Sequence, residues 1–346
     1  MNSPTEMLLR RRNLATHRIH TLPIVVLMPH QGCNCRCEMC DLWRSGGNGS
    51  DLSQEDIAAQ IEGMRRLRVR RVVLSGGEAL LCGELWGMCD LLKSIPARIT
   101  LLSNGLLLRQ HAREIVRSCD QVVVSLDGSP QTHDTIRGVP GAFDRLAEGV
   151  ASLKALDPDL RVTARCVIQR RNFRELPEIV GVAHRIGLDQ ISFLAVDVST
   201  TAFARSSPWS ADRARASALD TGEVGEFAAI VDGTIRDRAG DLAPAFIAES
   251  PDRLRRLVSY FAALNGDVAF PPTICNAPWT SAVVEADGTV RPCFFHGPLG
   301  NLHDGPLESI LNSPAAIDFR TKLNPRRDPV CGRCVCTLSV GPRTVV

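Results

Sequence analysis

Cys33, Cys37 and Cys40 stand at the spacing C-x3-C-x2-C in the stretch Gly32-Cys33-Asn34-Cys35-Arg36-Cys37-Glu38-Met39-Cys40. Three thiolates on one short loop can hold three irons of a [4Fe–4S] cube and leave the fourth iron open, whereas an electron carrier of this kind usually has four cysteines. An open iron is a place where a chelating cofactor can bind and accept an electron. A four-cysteine zinc or redox loop is the alternative use of such a spacing. Cys35 falls outside the ligand spacing and reads as a packing residue.

A second group lies near the C-terminal end: Cys275, Cys293, then Cys331-Gly332-Arg333-Cys334-Val335-Cys336. Asp287-Gly288, between two short apolar runs, is a strong hairpin signal that can bring Cys275 and Cys293 together. The later C-x2-C supplies two more thiolates, and four complete a coordination shell, whether of a cluster or of a structural zinc. Cys336 is a spare that could replace Cys334 or stay free. Cys82, Cys89, Cys119 and Cys166 read as buried structural thiols. The eight histidines show no metal-like spacing, and the single tyrosine, Tyr260, is assigned no role.

A disulfide scaffold is normally small and loop-rich; this chain of 346 residues is neither, and its thirteen cysteines are an odd number. The formal net charge of +2 gives no case for nucleic acid or membrane as partner. No apolar stretch has membrane length, and the first twenty residues supply no signal-peptide core, so a cytoplasmic location is expected. Arg10-Arg11-Arg12 reads as part of a solvated, irregular N-terminal tail.

Six apolar runs begin at Leu22, Val72, Ile99, Val122, Arg161 and Ile191. They read as buried parallel strands. Helical patterns lie between them: one capped by Ser53 with Ile57, Ile61, Met64 and Leu67 on one face, then 84–93, 109–118, 143–156 and 176–186. The alternation predicts an α/β fold, a partial (β/α)6 TIM-like barrel, with its chemistry at the C-terminal ends of the strands. The expected divisions are a tail at 1–21, a core barrel at 22–198, a helical bridge at 199–270 without chemistry of its own, and a small C-terminal unit of hairpin plus helix at 271–346.

Polar residues stand where the strands should end. Ser75-Gly76-Gly77-Glu78 follows the second strand; paired glycines let backbone approach a ligand, and Glu78 can receive an ammonium group. Ser103-Asn104-Gly105 follows the third strand and Ser125-Leu126-Asp127-Gly128 the fourth. Arg165 alternates with apolar Ala164 and Cys166 on the fifth, and is either a cation facing the barrel interior or a surface residue. Gln169 and Asn172 follow at that strand's end.

In this order the motifs resemble the radical S-adenosylmethionine (SAM) superfamily. The resemblance implies that Cys33, Cys37 and Cys40 hold a catalytic [4Fe–4S] cluster whose open iron binds SAM. Electron transfer would then cleave SAM to a 5′-deoxyadenosyl radical that abstracts hydrogen from a substrate. It implies that Gly76, Gly77 and Glu78 grip the methionyl amine, and that Ser103, Asn104, Ser125 and Asp127 lie near the ribose and methionyl group. Met39 would take the place of an aromatic residue against the adenine, and Arg165 would pair with the SAM carboxylate. The C-terminal group resembles the C-x(9–15)-G-x4-C opening of SPASM and twitch domains. Five cysteines fit the shorter twitch form, with one auxiliary [4Fe–4S] cluster on Cys275, Cys293, Cys331 and Cys334. Phe294-Phe295 after Cys293 argue against a sulfatase-maturing activity, where an aspartate base is found.

The expected activity is a radical SAM oxidoreductase acting on a small biosynthetic molecule, with a reducing partner such as flavodoxin or ferredoxin. The short N-terminal segment, with no room for a peptide-recognition domain, tilts the expectation away from the alternative, a peptide-modifying maturase. A non-catalytic iron–sulfur electron carrier or zinc protein is the reading from another class.

Overall fold

The computed structural model describes residues 4–45, 51–202, 205, 207–341 and 344. Residues 1–3 of the expected tail, and 342, 343, 345 and 346 of the expected C-terminal unit, lie outside the described residues.

Six strands run parallel: β1 (Ile24–His30), β2 (Arg71–Gly76), β3 (Arg98–Ser103), β4 (Gln121–Ser125), β5 (Arg161–Ile168) and β6 (Gln190–Ala195). Each pairs with the next in sequence, as helical crossovers on one face require. Their inner residues are buried, among them Leu27, Val72, Leu74, Leu101, Val122 and Ile168. In β2, β4 and β6 these buried positions alternate with half-buried ones.

The helix Gln54–Arg66 starts at Ser53 with a full capping box closed by Asp56. It buries Ile57, Ile61 and Met64 against the sheet, each worth about 1.5–3 kcal/mol relative to exposure. The helices Leu85–Leu92, Ala112–Ser118, Ala142–Leu156 and Leu176–Arg185 fall on the expected segments, and Pro177 occupies the first turn of the last. One more helix, Pro130–Arg137, precedes Ala142–Leu156, where no helical pattern is expected.

The C-terminal strands are β7 (Ser281–Val284), β8 (Thr289–Arg291) and β9 (Gly300–Asn301). The sheet order is β6-β5-β4-β3-β2-β1-β7-β8-β9, with β7 parallel to β1 and the last two pairings antiparallel. The sheet stays open, so the barrel is partial. The hairpin thus continues the barrel's own sheet: β1 offers an open edge, and β7 satisfies it.

The N-terminal segment is a helix, Pro4–Thr16, and not irregular. Its apolar residues give no sequence signal because the buried face is polar: Glu6, Arg10 and Asn13. Arg10 is not solvated; its guanidinium donates to the carbonyls of Gly341 (3.1 Å) and Thr344 (2.7 Å). Asn13 Nδ2 donates to Thr21 O and Trp279 O. The helix therefore ties the chain's first and last segments together through partners that no local pattern reveals.

In the bridge, Phe227 of Thr221–Asp237 packs edge-to-face on Phe173 of the barrel at 5.9 Å, and Phe261 of Pro251–Leu264 packs edge-to-face on Phe227 at 6.1 Å.

Candidate active site at the strand ends

The cysteine loop leaves β1 and is pinned by backbone bonds to the helix Pro130–Arg137: Arg36 N–H to Arg137 O at 2.8 Å and Glu38 N–H to Ile136 O at 3.0 Å. Gly138 closes that helix in the left-handed region (φ 64°); a Cβ there would sit 2.8 Å from Arg36 O. The turn after β2 presses on the base of the same loop. A Cβ on Gly77 would lie 2.0 Å from Gly32 O, so only glycine permits this approach.

A cavity of about 490 Å³ opens at the strand ends. Cys33, Cys37 and Cys40 line it, with Met39 beside them. The far side is built from Gly76, Gly77, Ser103, Asn104, Ser125 and Arg165. Arg165 lines this space while remaining exposed, and its Nε donates to Ser192 Oγ at 3.4 Å.

Cys35 does more than pack. Its thiol hydrogen-bonds to both Cys33 and Cys37 and is itself pushed well above the ordinary thiol range by those bonds. The same bonds hold Cys33 below it and take Cys37 down to about 6. Arg137 adds to the effect on Cys37: its Nη1 stands 3.6 Å from the sulfur. Burial acts oppositely on Cys40 and lifts it to about 12.

Two expected SAM contacts stand behind the cavity wall. Glu78 is buried, and its carboxylate accepts from Asn104 N (2.8 Å), Leu80 N (3.2 Å) and Ser103 Oγ (3.2 Å). It braces the turn after β3, and burial pushes it up to about 7. Asp127 is also buried; it pairs with Arg137 and accepts Val167 N at 3.0 Å. Gln169 and Asn172 are likewise structural: Asn172 Oδ1 accepts Gln169 N, and its Nδ2 donates to Asp127 O and Val167 O.

The bridge is not free of roles at the site. Asp41, next to Cys40, accepts from Trp209 Nε1 (2.8 Å) and from both terminal nitrogens of Arg213 (2.8 and 3.0 Å). Arg205 spans from Asp197, at the end of β6 (3.0 Å), to Met39 O (3.0 Å). Sequence reasoning missed Arg137, Asp41, Arg205 and Arg213 because each partner is remote in the chain.

The second cysteine group gathers where the hairpin meets the chain's last described segment. Cys275 interacts electrostatically with Cys293, Cys331, Cys334 and Cys336. Burial lifts Cys293 to about 11 and Cys331 to about 12, and raises Cys334 and Cys336. Cys336 also lines the main cavity with Phe294 and Phe295. His296, given no role by spacing, lies with Nε2 3.3 Å from Cys331 Sγ.

Both donor sets fit iron–sulfur clusters. Cys40, Cys293, Cys331, Cys334 and Cys336, raised by burial, ionise readily only beside a cationic metal centre. Cys33 and Cys37 are already biased toward the thiolate, and the three thiols of the first set line open space.

Residues 27–193 match the family model described as "Radical SAM superfamily", and residues 275–335 match "Iron-sulfur cluster-binding domain", SPASM. The chain is 29% identical to the pre-heme d1 synthase of Dinoroseobacter shibae over 49% of its own length and 42% of that protein's. The chain thus spans under half of that relative. It is 22% identical to the antilisterial bacteriocin subtilosin biosynthesis protein AlbA of Bacillus subtilis, over 89% of this chain and 63% of that one. Streptococcus suis SuiB, in its crystal structure bound to precursor peptide SuiA, shares the fold at a TM-score of 0.66 and 16% identity, over 97% of this chain and 77% of that chain. Among the described residues no helix is long and apolar enough to cross a membrane.

Proposed function

Because the chain belongs to the radical SAM superfamily and carries a SPASM domain near its C-terminal end, we propose that it is a peptide-modifying enzyme that starts from hydrogen abstraction. The two domains imply a catalytic [4Fe–4S] cluster, SAM and an auxiliary [4Fe–4S] cluster. When bound, these groups supply one electron and a 5′-deoxyadenosyl radical as hydrogen abstractor.

The chain's own residues bind and orient. Cys33, Cys37 and Cys40 would hold the catalytic cluster. Gly76, Gly77, Ser103, Asn104 and Ser125 would border SAM, with Met39 against its adenine and Arg165 toward its carboxylate. Glu78 and Asp127, expected at SAM itself, act in this reading as braces, fixing the Ser103-Asn104 turn and Arg137. Cys275, Cys293, Cys331 and Cys334 would hold the auxiliary cluster. Phe294, Phe295 and Trp43 help keep water from the cavity. This assigns the barrel to 22–198, the bridge to 199–270 and the auxiliary unit to 271–346. The net change on the substrate is an oxidation or a bond formation, fed by a small reductant of the flavodoxin or ferredoxin class.

The peptide reading rests on one observation: similarity to the subtilosin biosynthesis protein covers 89% of the chain, well beyond the part that matches the radical SAM model. A small-molecule substrate is the second reading, favoured by the higher identity, 29%, to the pre-heme d1 synthase over 49% of the chain.

The test is anaerobic reconstitution, reduction with dithionite and addition of SAM, with 5′-deoxyadenosine as readout. Short peptides encoded beside the gene are then supplied and their masses followed. Loss of hydrogen from a peptide supports the first reading. Deoxyadenosine formation stimulated only by a small metabolite supports the second, and none at all from fully loaded protein removes both.

A further inference from the structure

His296 lies three residues after Cys293, on the chain that follows β8, and its Nε2 stands 3.3 Å from Cys331 Sγ and 3.8 Å from Asp328 Oδ1. These three side chains form a group compact enough to hold a metal ion, its ligand atoms all within 4.8 Å of one another. Asp328 is already committed: its Oδ1 accepts the amides of Val330 (3.0 Å) and Cys331 (2.8 Å), capping the short helix Pro329–Gly332. Cys331 belongs to the second cysteine group. That leaves the imidazole as the member whose purpose is unexplained.

Its setting is rigid. The side chain is nearly buried, and its ring meets Phe319 edge-on with centroids 5.2 Å apart. Its backbone carbonyl accepts Arg291 Nη1 at 3.2 Å, which ties it to β8. Once Cys331 is a thiolate, both groups facing Nε2 are acceptors. The tautomer with its proton on Nε2 is then the one that satisfies them.

We propose that His296 is a positioning and potential-setting residue of the auxiliary cluster: its Nε2–H donates a hydrogen bond to the sulfur of Cys331, and Asp328 fixes that cysteine's backbone. The inference rests on the auxiliary-cluster reading. Hydrogen bonds to cluster sulfurs withdraw electron density and stabilise the reduced state, so they raise the reduction potential. His296 would thus make the auxiliary cluster a better electron acceptor.

The experiment uses the full chain with Cys33→Ala, Cys37→Ala and Cys40→Ala, so that only auxiliary-cluster signals remain. Iron content and an EPR-monitored redox titration are compared for His296, His296→Phe, which keeps the ring but loses the donor, and His296→Gln, which restores a donor. The expected result is unchanged iron in all three, a lower midpoint potential for His296→Phe and an intermediate one for His296→Gln. Pulsed EPR of the histidine-containing protein labelled with 15N-histidine should show only weak nitrogen coupling. Equal midpoints for His296 and His296→Phe overturn the proposal, as does loss of the cluster in His296→Phe together with strong nitrogen coupling, which makes His296 a ligand. Zinc in place of iron in the histidine-containing protein removes the auxiliary-cluster reading itself and the proposal with it.

Discussion

Arg137 Nη1 reaches to 3.6 Å from Cys37 Sγ across 100 residues of sequence, while the same guanidinium pairs with buried Asp127. The ion pair thus joins the cysteine loop, the helix after β4 and the end of β4 itself. Removing one partner of a buried pair leaves an uncompensated charge and costs about 3–5 kcal/mol. Arg137→Met should therefore lower unfolding stability by that amount and reduce the iron bound on reconstitution. Arg137→Met combined with Asp127→Asn should recover most of the stability but not the iron. Urea unfolding and iron analysis of the three proteins check this.

Glu78 carries a pH signature. Its carboxyl sits at about 7 in the fold against an ordinary 4.5, because burial disfavours the charge. A raised folded value means the folded state holds the proton more tightly. The resulting stabilisation is complete below about pH 4.5, fades as pH rises and is gone above about pH 7, a change of about 3 kcal/mol. Glu78→Gln cannot ionise. The stability gap between wild type and variant should shift in the variant's favour by about that amount between about pH 4.5 and pH 7.5. A gap that stays constant across this window would show that Glu78 is not protonated in the fold.

The parts of this molecule written in local patterns were legible. Ser53 and the apolar face of Ile57, Ile61, Met64 and Leu67 announce a helix, Asp287-Gly288 a hairpin, and the apolar runs of β1 to β6 a parallel sheet. The cysteine groups were legible because a ligand set needs fixed residue types at short spacing. What escaped were single polar residues whose partners come from far away. Arg137 with Cys37, Asp41 with Arg213, and Arg10 with the carbonyl of Gly341 each depend on tertiary closure, which periodicity cannot encode. Glu78 was found by its motif. Its burial, and with it its bracing of Asn104, became visible only when β2 and β3 were side by side.

Gly77 tests how tightly the strand-end turn must hold the cysteine loop. A methyl group there would overlap Gly32 O at 2.0 Å and Gln31 O at 2.5 Å, and both are backbone atoms that cannot swing aside. Overpacking of this kind costs about 1–3 kcal/mol. Gly77→Ala should fold with a lower Tm and bind SAM at least tenfold more weakly by equilibrium dialysis, because the turn lining the cavity moves. Gly83→Ala, at a glycine where a Cβ meets nothing within 4 Å, is the control and should leave both unchanged.

Asp41 gathers Arg213, Trp209 and Arg205 beneath the cysteine loop. Asp41→Asn keeps the volume but removes the charge that these groups share. Hydrogen bonds to charged groups are worth about 1.5–3 kcal/mol, and a loss of that size is expected in unfolding stability. The indole of Trp209 would lose its 2.8 Å acceptor. Its fluorescence, isolated by comparison with Trp209→Phe, should shift as the bridge loosens.

Cys334 and Cys336 compete for the last auxiliary position. Cys334 interacts with Cys336, Cys275 and Cys293, and its Sγ donates to Cys336 O at 3.1 Å. Cys336 interacts with Cys275, Cys293, Cys334 and Arg165, and it also lines the main cavity, where substrate would lie. Two cubes hold about eight irons per chain, and loss of one leaves about four. Cys334→Ala should fall toward the lower count, while Cys336→Ala keeps the higher. If the counts come out reversed, Cys336 is the ligand, and Cys334 is the thiol left over beside it.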